Sequence, residues 1–305
     1  MQIVAPAPGS VFVRDVLGTT GALVASVQFR VEAAGPVSRV TFELAKSDDR
    51  PGEQVLGEAG ADMALYAELM SEGSVTVMAR AYDEAGTPVA SDSVTLLIEP
   101  PNAADCYDWL DLYGIEYTTG PIRNGVAEPV TVTVPINGVG YRRSWDDDYR
   151  EQFFMDCSMA LSLARAAHHL RARDVIEVRD MGVYNYRCVG NEGTPPDCPR
   201  GMSQHAFAKG IDIAGLATGD GTYYSVEDDW QIDLPGEATC EAETEAGKDR
   251  FMHELICDLK ADRVWNIILT PNYNSAHRNH FHVDLTTGED FIKSATAVDS
   301  GPDHH

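Results

Sequence analysis

All six cysteines of this 305-residue chain, Cys106, Cys157, Cys188, Cys198, Cys240 and Cys257, lie after residue 100, whereas the first hundred residues contain neither Cys nor His. A cross-linked part following an uncross-linked one points to two domains. They meet at Glu99-Pro100-Pro101-Asn102, where proline stops a strand because it has no N–H for the ladder. The boundaries read as residues 1–99 and 103–300.

An even cysteine count without close C-x-x-C pairs favours disulfides over a zinc ribbon or buried free thiols. Cys188 and Cys198 bracket a Gly/Pro-rich loop that a bridge between them would close, but spacing alone leaves the other pairings open. Disulfides imply an oxidising compartment: extracellular, periplasmic or at the cell surface. Met1-Gln2-Ile3-Val4 lacks the basic start and apolar core of a signal peptide. A leader removed before this numbering would leave the same start. No run approaches the ~20 apolar residues needed to span a bilayer, so a soluble chain without a transmembrane segment is expected. The formal net charge is -25, with 6 Lys+Arg against 14 Asp+Glu in the first 100 residues and 17 against 34 in the rest. Such a surface repels polyanions and argues against nucleic acid as a partner.

Before the junction, apolar residues alternate along Leu23 to Val31, Val37 to Leu44, Ser74 to Tyr82 and Ser93 to Ile98, with Gly35-Pro36 and Glu84-Ala85-Gly86 as punctuation. Period-2 alternation broken by turns predicts an all-β antiparallel sandwich. The segment resembles the immunoglobulin-like (Ig-like) modules that bacterial surface proteins carry as spacers or adhesion units. That resemblance implies cell-surface docking for this domain rather than catalysis.

After the junction the pattern becomes α+β. Asp156 to Arg173, Ala/Leu-rich without Gly or Pro, predicts a buried helix, and Val175 to Val178 a strand. Lys248 to Ala261 predicts a second helix with Phe251, Leu255 and Leu259 on one side, followed by a buried strand from Val264 to Leu269. The acid-rich stretch 218–247 reads as a surface excursion.

Chemistry concentrates in two strings. One runs Ser203-Gln204-His205 and on to Gly210-Ile211-Asp212; the other is His277-Arg278-Asn279-His280-Phe281-His282-Val283-Asp284. Strand alternation puts His280, His282 and Asp284 on one face with Phe281 and Val283 on the other, and aims Asp212 opposite Ile211 and Ile213. The result is a compact N/N/O donor set. Zn²⁺ takes such a set in catalytic sites, leaving a fourth position for water; imidazole makes Mg²⁺ or Ca²⁺ less suitable and leaves Mn²⁺, Ni²⁺ and Co²⁺ as alternatives. His168, His169 and His253 sit on helices and are read as packed or solvated, His253 without partners. His304 and His305 read as a tail.

Ser-x-His followed seven residues later by Asp, then a late His-x-His strand, resembles the zinc D-Ala-D-Ala peptidases (the M15/LAS superfamily). The run from Cys157 to Leu285, with Tyr184-Asn185-Tyr186-Arg187-Cys188 and Pro271-Asn272-Tyr273-Asn274, is most similar to the extensin-like C-terminal branch. The resemblance implies an α+β zinc peptidase domain with His205, Asp212 and His282 as metal ligands and His280 as the base beside the metal-bound water. It implies that His277 or Arg187 donates to an oxyanion, that Arg187 meets a substrate carboxylate, and that Ser203 steadies substrate or its own loop. The implied substrate is peptidoglycan peptide. Two departures from the branch are visible. Ala208 and Gly210 exchange the usual Gly and Ala, a swap expected to be harmless, and Tyr186-Arg187-Cys188 reverses the common Cys-Arg order. A non-catalytic, metal-containing wall-binding or adhesion module is the alternative. Retention of His280 favours the enzyme, because a binding relic needs no base.

Overall fold

The computed structural model describes residues 1–45, 54–146, 148–232, 238–242, 244 and 247–292. The tail histidines His304 and His305 fall outside the described residues. The chain is mostly β-sheet and divides into two compact units, Met1–Ala104 and Asp105–His305.

The first unit is a sandwich. Its strands are β1 (Gln2–Ala5), β2 (Val11–Val13), β3 (Val16–Leu17), β4 (Leu23–Glu32), β5 (Arg39–Leu44), β6 (Gln54–Glu58), β7 (Ala64–Leu69), β8 (Gly73–Tyr82) and β9 (Pro88–Glu99). One sheet has the order β1-β4-β3 with β7 also on β4, and the other β2-β9-β8-β5-β6. Strict alternation in β4 drives Val27, Phe29 and Val31 inward, where Phe29 meets Phe42 with ring centroids 5.5 Å apart. Burial of each such side chain stabilises the unit by roughly 1.5–3 kcal/mol. One pairing corrects the antiparallel expectation: β2 runs parallel to β9, Val11 opposite Leu97. Three residues are too short to show their direction through periodicity.

The second unit contains α1 (Cys106–Leu112), β10 (Tyr117–Thr119), β11 (Pro129–Thr133), β12 (Gly140–Arg143), β13 (Gln152–Asp156), α2 (Cys157–Ala172), β14 (Val175–Asp180), β15 (Gly210–Thr218), β16 (Tyr223–Ser225), α3 (Val226–Asp229), α4 (Lys248–Ala261), β17 (Ile267–Leu269), β18 (Phe281–Asp284) and β19 (Phe291–Ile292). Its principal sheet has the order β12-β14-β15-β18-β17-β19, with β16 on β15, and a small sheet runs β10-β11-β13. Asp156 caps α2 by accepting from Ser158 N–H and also takes Glu128 N–H, so one buried carboxylate ties the helix start to the neighbouring loop. Disulfides join Cys106 to Cys157, Cys188 to Cys198 and Cys240 to Cys257. No described helix is long and apolar enough to cross a membrane.

Two sequence expectations change here. The strand expected from Val264 begins only at Ile267, with Val264 and Trp265 packed as its buried approach. The stretch expected to be a surface excursion sends Trp230 inward, where it stacks on His253 at 3.7 Å and meets Phe281 edge-on at 5.0 Å. His253 is therefore buried and partnered, and Asp249 lies 3.1 Å from its Nδ1. A stretch rich in Gly and acid carries no periodic signal for a single anchoring aromatic.

Candidate metal centre

The site is built from two adjacent strands and one tight turn. β15 and β18 pair so that Asp212 faces His282 across the ladder. Beyond Asp212, the Met181 N–H donates to its carbonyl at 2.8 Å. His205 comes from the 3-10 turn Gln204–Phe207, whose N-cap Ser203 accepts the His205 N–H at 3.3 Å. Ser203 is buried, and its hydroxyl supports the turn that presents His205. The turn ends at Ala208 with φ 53°. That left-handed conformation costs a residue with a Cβ about 1–2 kcal/mol, so the exchange of small residues at 208 and 210 is not the neutral swap expected. A Cβ on Gly210 would lie 3.2 Å from His282 Cε1, which is why the smaller residue stands there.

The donor atoms of His205, Asp212 and His282 all lie within 4.8 Å of one another. His205 Nε2 is 3.2 Å from Asp212 Oδ1 and 3.3 Å from His282 Nδ1, and His282 Nδ1 is 2.8 Å from Asp212 Oδ1. What lies behind the rings sets the direction of their lone pairs. His205 Nδ1–H donates to the Val183 carbonyl at 3.0 Å, and His282 Nε2–H donates to Asp284 Oδ2 at 3.0 Å. His205 Nε2 and His282 Nδ1 are thereby directed at the common point, where loss of their protons to an entering metal would leave lone pairs facing it, the arrangement by which outer acceptors orient metal-binding imidazoles. With one carboxylate completing the set, these residues fit a tetrahedral Zn²⁺ with an open position. Asp284, whose other oxygen accepts Thr286 N–H at 2.8 Å, is thus both orienter and strand cap.

Electrostatics support the same geometry. Burial works against charge on His282, but hydrogen bonds to Asp212 and Asp284 outweigh it and raise the pKa to about 9. Burial likewise works against the Asp212 carboxylate, yet electrostatic attraction to His205 and the hydrogen bonds to both histidines hold it well below the usual range. A metal entering this site displaces the His282 proton. Zinc affinity is therefore expected to rise about tenfold per pH unit between pH 6.5 and 8.5 and to flatten above about 9. Chelator competition across that range checks the slope.

His280 lies just before β18, its Nε2 3.6 Å from Asp212 Oδ1. Its Nδ1–H donates to Asn279 Oδ1 at 2.7 Å, so Nε2 faces the centre as an acceptor. Burial, only partly opposed by Asp212, lowers its pKa and keeps it neutral. His277 makes a similar commitment, Nδ1–H to Asn274 Oδ1 at 2.5 Å, and burial together with the neighbouring His280 and His282 lowers its pKa to about 3. With the Nδ1 proton so placed, Nε2 of the neutral ring is left as an acceptor. Arg187 lines both recesses that meet at Asp212. One is a cleft of about 500 Å³ running to His205, the other a pocket of about 190 Å³ walled by His277, His280 and Asn191. Sequence reasoning missed the supporting groups Val183, Asn274 and Asn279, of which the backbone carbonyl of Val183 has no side-chain signature at all.

Residues 146–292 match the family model of the extensin-like protein C-terminus, a stretch that holds every residue of this centre. No curated protein matches the chain. Among solved structures, the fibronectin(III)-like modules of Clostridium thermocellum CbhA share 20% identity, with 33% of this chain and 98% of that one covered at a TM-score of 0.24. The Bacteroides ovatus mixed-linkage glucan utilization locus protein SGBP-B, in complex with a mixed-linkage heptasaccharide, shares 10% identity over 73% of this chain and 45% of that one, at a TM-score of 0.23. At these scores neither likeness carries functional weight.

Proposed function

We propose that residues 105–305 form a zinc-dependent peptidase, related to the M15/LAS enzymes, that hydrolyses an amide bond in the stem or cross-link of peptidoglycan outside the cytoplasm. The observation that carries this reading is a pair of imidazoles whose outer nitrogens are held by Val183 and Asp284 so that His205 Nε2 and His282 Nδ1 converge on one carboxylate oxygen, with Nε2 of His280 3.6 Å from the same oxygen. Bound by His205, Asp212 and His282, zinc supplies Lewis acidity and an acidified water. His280 Nε2 takes the proton of the attacking water and returns it to the departing amine, for which a neutral ring is required. Arg187 is the cation at the junction of the two recesses and donates to the developing oxyanion. The three disulfides support an oxidising compartment, where this polymer lies. The 1–104 unit, free of His and Cys, is assigned a spacer or surface-docking role.

The test is incubation of zinc-loaded protein with purified muropeptides and, separately, with an unrelated L-peptide mixture, followed by mass analysis. Loss of a terminal residue or splitting of muropeptide dimers, with the L-peptides untouched, is the expected result. Intact muropeptides after exposure to fully metallated protein that binds whole wall would replace the peptidase with a non-catalytic binding module.

A further inference from the structure

The cleft that reaches His205 and Asp212 contains three further arginines whose circumstances differ. Arg150 is committed to the buried Asp180 through two hydrogen bonds, at 2.6 and 2.9 Å, and Arg143 lies 3.7 Å from Asp146. Arg123 has no carboxylate within ion-pair distance among the described residues. Its guanidinium instead lies 4.2 Å over the Phe154 ring and 5.2 Å from that of Tyr184, and the residue is exposed. Stacking on aromatic faces steadies the guanidinium plane and leaves its N–H edge open, the state in which arginine is ready to grip a carboxylate with two parallel hydrogen bonds.

The loop bearing Arg123 is fastened to the metal-binding turn. Tyr184 Oη–H donates to Asn124 O at 3.1 Å, and Gly125, at φ +83°, approaches Ala206 so closely that a Cβ would lie 2.4 Å from its carbonyl oxygen. Ala206 follows His205 directly, so the cation is held in fixed relation to the centre. Trp145, 62% exposed, offers the same cleft a flat apolar surface. In a chain of net charge -25, a cation without a carboxylate partner among the described residues selects an anion locally against a repulsive background.

We infer that Arg123, with Arg143 and Trp145 lining the same cleft, forms a substrate subsite for a carboxylate remote from the scissile amide. The inference rests on the wall-peptide reading above and narrows it to stems whose side carboxylates are free. An amidated stem places a neutral amide before the guanidinium and loses the charge-assisted pair.

The experiment measures dissociation constants by calorimetry for the zinc-loaded full chain against three probes: a muropeptide with free side carboxylates, its amidated counterpart, and an oligoglutamate of equal charge. Wild type is expected to bind the free form at least about tenfold more tightly than the amidated one, and Arg123→Gln to bring the two within about twofold without loss of zinc. Should Arg123→Gln fold poorly, Arg143→Gln and Trp145→Ala provide the same comparison, each weakening the free form selectively. Equal binding of the two muropeptides by wild type, or a preference undiminished in the Arg123→Gln, Arg143→Gln double variant, overturns the subsite and leaves the peptidase reading standing. Arg123-dependent binding of oligoglutamate with no binding of either muropeptide upholds the subsite and overturns the wall-peptide reading. Absence of binding to all three probes overturns both.

Discussion

Zinc content is expected to fall from about one ion per chain to none when His282 is replaced by Ala, with the same outcome for His205→Ala and Asp212→Ala. Each substitution removes one of three donors from a set whose atoms already lie within 4.8 Å of one another, and no other described residue joins that group. Asp284→Asn poses a subtler question. It keeps the shape of the side chain that holds His282 Nε2 at 3.0 Å but removes its charge, so affinity should drop by roughly 10–100-fold, the range for outer partners of metal-binding histidines. Metal analysis of dialysed protein measures the first effect and chelator competition the second. A His282→Ala protein that folds and retains full zinc occupancy would show that the ligand set is wrong.

His280→Ala is expected to separate chemistry from binding: the metal stays, and turnover of the susceptible muropeptide falls by about 10²–10⁴, the usual contribution of a general base. The direction of the pH dependence follows from burial, which lowers the His280 pKa. A base works only while unprotonated, so wild-type turnover should persist below the ordinary histidine range as pH falls, and it is lost only when the ring takes up its proton. In the Ala variant that acidic limb disappears from the residual rate. If zinc leaves with His280 instead, the two histidines flanking Phe281 have exchanged roles.

What the sequence made legible was local. Alternation in His280 to Asp284 and in Gly210 to Ala214 needs only the two-residue period of a strand, and the structure places Asp212 opposite His282 in that register. The α2 helix was equally plain, because an uninterrupted Ala/Leu stretch without Gly or Pro leaves few alternatives; that Asp156 is its cap rather than its first residue came from the structure. Long-range partners were not legible. The stack of Trp230 on His253 joins residues from an aperiodic stretch and a helix, and nothing in either neighbourhood announces the other. His277 shows a different limit. The resemblance implies a donor there, but which ring nitrogen carries the proton is a matter of tautomer, set by three-dimensional neighbours such as the Asn274 side-chain oxygen 2.5 Å from Nδ1. The direction of β2 and the approach of Gly125 to Ala206 are likewise properties of the assembled backbone.

β18 is hydrogen-bonded along both edges, to β15 on one side and β17 on the other. Amide protons in such a strand exchange with solvent mainly when the sheet itself opens, while turns release theirs through local fluctuation. His282 and Asp212 are therefore expected among the slower-exchanging residues of the unit. His277 sits in a 3-10 turn, and Arg187 precedes the loop between Cys188 and Cys198. A difference in stiffness therefore runs through the candidate centre: Asp212 and His282 are held by the sheet, whereas His205 and His277 ride on turns whose adjustment can change the spacing of the donor atoms without opening the strands.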